Sequence, residues 1–166
     1  MQQPRMRNVA TILPEAMEAL QKLGRAAGKG GVPGRTIDLV QLRASQINGC
    51  SVCLDMHWRE AREAGESDER LFAVAAWRDA PWFSDAERAA LALTEAVTRL
   101  ADRDDPVRDE IWSEAARHFD EKGLAALMVA ITAINAWNRL NVATRQVAGS
   151  VAWPARGAGV REGVRG

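Results

Sequence analysis

The stretch that most restricts the fold is the last long one, from Asp120 to about Val147, rich in Ala, Leu, Ile and Val. It reads as the last and longest helix, with Asp120 placed to cap its start. The rest of the chain follows the same pattern, helical segments separated by short breakers. Pro14 to Ala27 carries Ala16, Leu20 and Leu23 at helical spacing, and Gly28 to Gly34 breaks it. Arg35 to Ile47 is a second apolar-rich helix, stopped by Asn48-Gly49, since both residues tolerate a left-handed end. A third begins near Cys50 and runs to about Ala64, with Gly65 as its stop. Ser67 caps a short helix, Trp77 to Phe83 forms an aromatic loop, and Ser84-Asp85-Ala86-Glu87 has the form of a capping box opening a helix to about Ala101. Asp105-Pro106 offers a cap and a first-turn proline for a helix ending near Phe119. No segment reads as a strand, so the expected class is all-α.

The 166 residues suit one domain, expected over 1–149, followed by a Gly- and Arg-rich tail, 150–166, expected to be disordered. With 47% hydrophobic and 27% charged residues there is enough apolar material for a core. The 22 basic and 22 acidic side chains cancel, so no field of one sign recruits nucleic acid or an anionic membrane. No apolar run approaches the ~20 residues that span a bilayer, and the N-terminus lacks the apolar core of a signal peptide. The expected compartment is the cytoplasm, where thiols are mostly kept reduced.

Against that background the two cysteines stand out. Cys50 and Cys53 are the only ones, three residues apart, and a staple closing so small a loop gains little stability. In a cytoplasmic chain such a pair reads as catalytic, redox-sensing or metal-binding. Both follow a helix break and so lie in the first turn of a new helix, where free backbone N–H groups favour a thiolate. His57 follows Cys53 by four residues, which puts an imidazole within reach of a thiol on the same helical stripe. The sulfurs can form a disulfide. Asp38 lies on the preceding helix, and spacing alone does not decide whether it folds back on His57.

Zinc is the main rival, because Cys and His are zinc ligands, but three ligands on one stripe leave the fourth unsupplied and His118 lies far away in sequence. A thioredoxin fold needs strands around the motif. His118 is expected to satisfy carbonyls at a helix end. The six tryptophans, Trp58, Trp77, Trp82, Trp112, Trp137 and Trp153, read as core or interface anchors. Arg59, Glu60, Arg62 and Glu63 read as a solvated helix face. SQING and WNRLN both end apolar helices, an echo too short to be a repeat.

The run LRASQINGCSVCLDMH resembles the signature of the alkylhydroperoxidase D-like, carboxymuconolactone decarboxylase superfamily, and INAWNRLNVATR, Ile134 to Arg145, resembles its C-terminal helix. The resemblance covers roughly Ile12 to Gly149. It implies an all-α alkylhydroperoxidase D-like bundle assembled as a homo-oligomer, commonly a trimer or hexamer, that reduces peroxides with a cysteine pair; no cofactor and no metal are expected. In that scheme Cys53 is the peroxidatic nucleophile, Cys50 resolves its sulfenic acid, and His57 is the base. A relay glutamate falls at Asp38 here, one methylene shorter. Val52 stands where the founding hydroperoxidase has a histidine between the cysteines.

The expected activity is therefore reduction of hydrogen peroxide or small organic hydroperoxides, with regeneration by an external thiol or a lipoyl-type donor. The alternatives are a disulfide reductase or redox sensor, a cysteine-independent lactone decarboxylase, and a non-enzymatic zinc-binding protein. Apolar surface on the INAWNRLNVA helix and the WRDAPWF loop is expected to be buried by oligomerisation.

Overall fold

The computed structural model describes residues 3–149. The expected tail of 150–166, including Trp153, lies outside the described residues. Every regular element among them is helical. In chain order these are α1 (Val9–Ile12), α2 (Pro14–Ala27), α3 (Gly34–Asn48), α4 (Ser51–Glu63), α5 (Asp68–Ala73), α6 (Asp85–Thr98), α7 (Asp109–His118) and α8 (Glu121–Ala143). Short 3₁₀ turns, Val74–Ala76 and Leu100–Asp102, follow α5 and α6.

The expected caps form. Ser67 accepts from the Arg70 amide, Ser84 and Glu87 complete the capping box, and Asp120 Oδ1 accepts from the Gly123 amide at 2.7 Å. Gly49 closes α3 at φ 66°, with the Cys50 amide returning to the Ser45 carbonyl at 3.0 Å. That left-handed turn redirects the chain and leaves Cys50 as the N-cap of α4.

Two boundaries differ from expectation. Asp105-Pro106 does not start α7; bends continue to Val107, which packs on the core, and the helix begins at Asp109. Packing of the partly buried Val107 against the core overrides the local proline signal. At the other end α8 stops at Ala143 rather than near Val147. There the Thr144 hydroxyl donates to the Leu140 carbonyl, and the Gln146 amide returns to Asn141 at 2.9 Å across Arg145, which sits at φ 54°.

α3 is the central element. Its neighbours are α4, α6 and α8, and α2 lies along the other side of α8. Each face of α3 enters a different part of the core. Ile37 and Val40 pack with Leu93, Leu127 and Ile131, while Leu39 and Leu42 pack with Leu71, Trp77, Phe83 and Leu91. Ala44 joins a third, small cluster with Cys50, Val52, Cys53 and Ile134. A helix that buries side chains on several sides is stable only when enclosed.

α8 reaches the length and mean hydropathy of a bilayer-spanning helix, contrary to the expectation that no apolar run does so, but 56% of that stretch is buried. Leu127 and Ile131 are fully buried, each worth about 2 kcal/mol. Asn138, also fully buried, would cost a similar amount unpaired. It is paired, donating to Ser45 Oγ at 3.1 Å and accepting from Asn48 at 2.9 Å.

The two segments expected to carry excess apolar surface largely face inward. Trp77 and Phe83 of the WRDAPWF loop are buried, as are Ile134, Asn135, Asn138 and Asn141 of α8; Trp82 and Val142 remain exposed. Arg88 organises the loop, donating to the Phe83, Trp77, Arg78 and Ala80 carbonyls.

Candidate functional site

The turn at Gly49 places both cysteines at the start of α4. Cys50 Sγ accepts from the Cys53 amide at 3.4 Å, serving as the side-chain cap. The two sulfurs are within bonding distance as a disulfide, with the Cα atoms 5.4 Å apart. Both residues are 1% exposed. Each is nevertheless bordered by a cavity, and the two cavities differ.

Cys53 lines a chamber of about 100 Å³ with His57, Val52, Met56, Ile134 and Trp137, together with Gln21 and Gly24 of α2. Cys50 lines a wider cavity of about 240 Å³ with Ser51, Asn141, Arg145 and Gln146. Asn141 belongs to both. Its Nδ2 lies 3.4 Å from Cys53 Sγ, a donor aimed at the sulfur, and its Oδ1 accepts from Asn8 at 3.3 Å.

His57 is buried on α4, one turn beyond Cys53. Its Nδ1 meets Glu60 Oε2 at 2.9 Å. With Glu60 ionised, only the tautomer carrying its proton on Nδ1 can make this bond, and Nε2 is left as the proton acceptor. Glu60 therefore does not belong to the solvated face assigned to it from sequence; its side chain is 17% exposed. Arg59, Arg62 and Glu63 are exposed as expected. The three-residue step from His57 to Glu60 was the available signal, since such pairs share a helix face.

Asp38 is on α3 and 1% exposed. It lines a cavity with Pro33, Gly34, Arg35, Ala64, Gly65 and Glu66, which shares no residue with the chamber of Cys53 and His57. The geometry thus joins Cys50, Cys53, His57, Glu60 and Asn141, and Asp38 lines its cavity beside Ala64 and Gly65 at the C-terminal end of α4. Glu66 beside it accepts from Arg35 and from Arg70, at 2.7 Å from Arg70 Nε. Burial works to raise the Glu66 carboxyl, but the Arg70 and Arg35 hydrogen bonds outweigh it and hold it below its ordinary value.

Asn141 was also missed from sequence. Asn135, Asn138 and Asn141 recur every third residue along α8. Asn48 bridges the first two, donating to Asn135 and Asn138 at 2.9 Å each. The echo between SQING and WNRLN is thus a contact, in which the amides of one segment tie the end of α3 to α8.

His118 pairs with Glu114 at 3.1 Å, rather than with helix-end carbonyls. Among the described residues no group of three or more His, Cys, Asp and Glu side chains is arranged to hold a metal ion.

Residues 14–96 match the model of the carboxymuconolactone decarboxylase family. The chain is 34% identical to the uncharacterized protein YdfG of Bacillus subtilis over 132 residues, 80% of this chain and 88% of that protein. It is 36% identical to the uncharacterized protein YnjA of Escherichia coli over 105 residues, which take in 63% of this chain and 56% of that one. Among solved structures it is similar to a protein of unknown function from Agrobacterium tumefaciens, proposed as the antioxidant defence protein AhpD. The TM-score is 0.81 at 36% identity, covering 88% of this chain and 98% of the other. The debrominase Bmp8 shares the fold, with a TM-score of 0.74 at 20% identity over 84% of this chain and 74% of that one.

Proposed function

The chain belongs to the carboxymuconolactone decarboxylase family, and from that premise we propose that it is a cytoplasmic thiol peroxidase, reducing hydrogen peroxide or small organic hydroperoxides through Cys50 and Cys53. One observation carries the reading: the two sulfurs meet at disulfide distance in the capping turn of α4, and Cys53 shares its chamber with His57. The antioxidant defence role proposed for the Agrobacterium relative agrees with it.

In the reduced protein His57 Nε2 takes the Cys53 thiol proton. The resulting thiolate is held by the α4 amides and by the Asn141 amide. It attacks the terminal oxygen of the hydroperoxide; the O–O bond breaks, and the alkoxide leaves with the proton that His57 returns. Cys53 is then a sulfenic acid. The Cys50 thiolate attacks that sulfur, the S–S bond forms, and hydroxide leaves as water. Two external thiols, or one lipoyl-type dithiol, restore the pair by exchange. Glu60 orients His57, and Asp38, buried on α3 and lining a different cavity, reaches the same imidazole through water. The working assembly is a homo-oligomer, a trimer or hexamer.

Mass spectrometry of the reduced protein after one equivalent of cumene hydroperoxide tests the reading. Clean conversion to the internal disulfide within seconds is expected. A protein that stays reduced with hydroperoxide, yet is oxidised by a small disulfide, would be a disulfide reductase instead. Turnover of a lactone substrate that survives replacement of both cysteines would establish decarboxylase chemistry.

A further inference from the structure

The two cysteines of one disulfide line cavities of opposite character. The chamber at Cys53 is small and lined by Val52, Met56, Ile134 and Trp137; the cavity at Cys50 is more than twice its volume and polar. A hydroperoxide needs only the first. The reductant is larger, must approach along the S–S axis, and needs room behind the sulfur it attacks.

At the wall of the second cavity stands Arg145. It is an exposed arginine held at φ 54°, in the position that ends α8 and where a glycine is usual. Its amide donates to the Val142 carbonyl at 3.1 Å and the Gln146 amide to Asn141, so the backbone turn is fully bonded. The guanidinium itself has no ion pair among the described residues. No carboxylate lines this cavity among the described residues; Asp55 of α4 accepts from the Gly149 amide and pairs with Arg59 at 2.9 Å. Ser51 and Gln146 add polar side chains to the same wall. A non-glycine residue at positive φ costs roughly 1 kcal/mol or more, which selection would remove with a glycine unless the side chain did something.

Building on the peroxidase reading, we propose that the Cys50 cavity is the entry site for the reductant, and that Arg145 binds the carboxylate of a small carboxylated thiol there. The thiolate of that molecule attacks Cys50 Sγ. The S–S bond breaks, and its electron pair goes to Cys53, which leaves as a thiolate held by the Asn141 amide. A second thiolate attacks the mixed disulfide at the outer sulfur; that bond breaks, and Cys50 departs and takes a proton from solvent. The external disulfide is released, and both cysteines end reduced.

The test starts from the full chain oxidised with diamide, so it runs whether or not a hydroperoxide is ever a substrate. Reduction is followed by Trp fluorescence with mercaptoacetate and with 2-mercaptoethanol. The readout is the ratio of the two rate constants, from which differences in sulfur nucleophilicity cancel between protein variants. Arg145→Gly removes the guanidinium and suits the left-handed backbone, so the variant folds. We expect that ratio to fall about five-fold in Arg145→Gly, to recover largely in Arg145→Lys, and to shrink toward the Arg145→Gly value in high salt. Trapping with iodoacetamide should find the mixed disulfide on Cys50. A ratio unmoved by Arg145→Gly, or a mixed disulfide on Cys53, overturns the proposal. If the protein proves inert to hydroperoxides while the ratio still falls, the peroxidase reading fails and this one stands.

Discussion

At the scale of single residues, the site is a division of labour between the side chains that touch sulfur and those that set the imidazole. Glu60 meets His57 Nδ1 at 2.9 Å, and Glu60→Gln keeps the size but removes the charge that supports an imidazolium. Its rate with hydroperoxide should fall about ten- to a hundred-fold, the usual loss for a group orienting a base. Asp38→Asn, measured alongside, separates the two carboxylates: a rate within twofold of wild type would remove Asp38 from the relay and leave Glu60 alone. Asn141→Ala should slow the reaction at neutral pH and move the rate profile to higher pH, because the thiolate loses a donor; a purely structural asparagine would lower stability and leave the profile in place. Cys50, Cys53 and His57 were legible because their spacing of three and four residues is short-range, and a helix stripe follows directly from it. Asn141 was not, since its partner Cys53 is 88 residues away and pairing at that separation is decided by how α8 packs. Glu60 was misread because Arg59, Arg62 and Glu63 flank it and the local charge pattern is that of a wet surface.

Individual elements show why the helices were easy to read and some of their ends were not. Ser67, Ser84 and Asp120 cap within three residues of themselves, and glycines at 49 and 65 end helices by their own backbone freedom, so sequence shows them directly. The start of α7 and the end of α8 depend on packing of Val107 and on a left-handed Arg145, neither of which is a local property. Gly49 carries the most consequence, since its turn delivers Cys50 to the α4 cap. A Cβ there would meet nothing within 4 Å, so Gly49→Ala tests backbone strain alone. We expect it to cost about 1 kcal/mol in chemical denaturation, and to slow disulfide formation by displacing Cys50 from the cap. Gly30 is the opposite case. A Cβ there would lie 2.2 Å from that of Ala126, so Gly30→Ala must push α8 away and should destabilise by more than Gly49→Ala does.

Across the whole molecule, α3 is held to its surroundings by charge as well as by apolar contact. Arg43 of α3 donates to Glu95 of α6 at 2.8 Å, and Trp77 and Arg78 meet the same carboxylate. Burial works to raise the Glu95 carboxyl; the hydrogen bonds from Trp77, Arg78 and Arg43 outweigh it and hold it below its ordinary 4.5. A carboxyl lowered by folding contributes stability that is present above 4.5 and lost as pH falls through the folded value. Wild type should therefore lose stability steeply below about pH 4.5, and Glu95→Gln, already weaker at neutral pH, should lose less over that range in urea titrations. The architecture as a whole was visible in the sequence, because an all-helical chain declares itself through periodicity in every segment. Which surfaces remain uncovered was not: the WRDAPWF loop folds inward under Arg88, while Phe72 is left 77% exposed. Burial of Phe72, Trp82 and Leu13 between copies would complete a homo-oligomer, and light scattering at micromolar concentration should find a species larger than one chain.

If Cys53 reacts with the hydroperoxide and Cys50 resolves it, the two single cysteine variants must differ in the fate of one equivalent of hydroperoxide. Cys50→Ser should consume it and accumulate a sulfenic acid on Cys53 that dimedone traps, since no neighbouring thiol remains to form the disulfide. Cys53→Ser should leave the hydroperoxide untouched on the same timescale. Trapped sulfenic acid on Cys50 in the Cys53→Ser protein, with Cys50→Ser inert, would reverse the two roles.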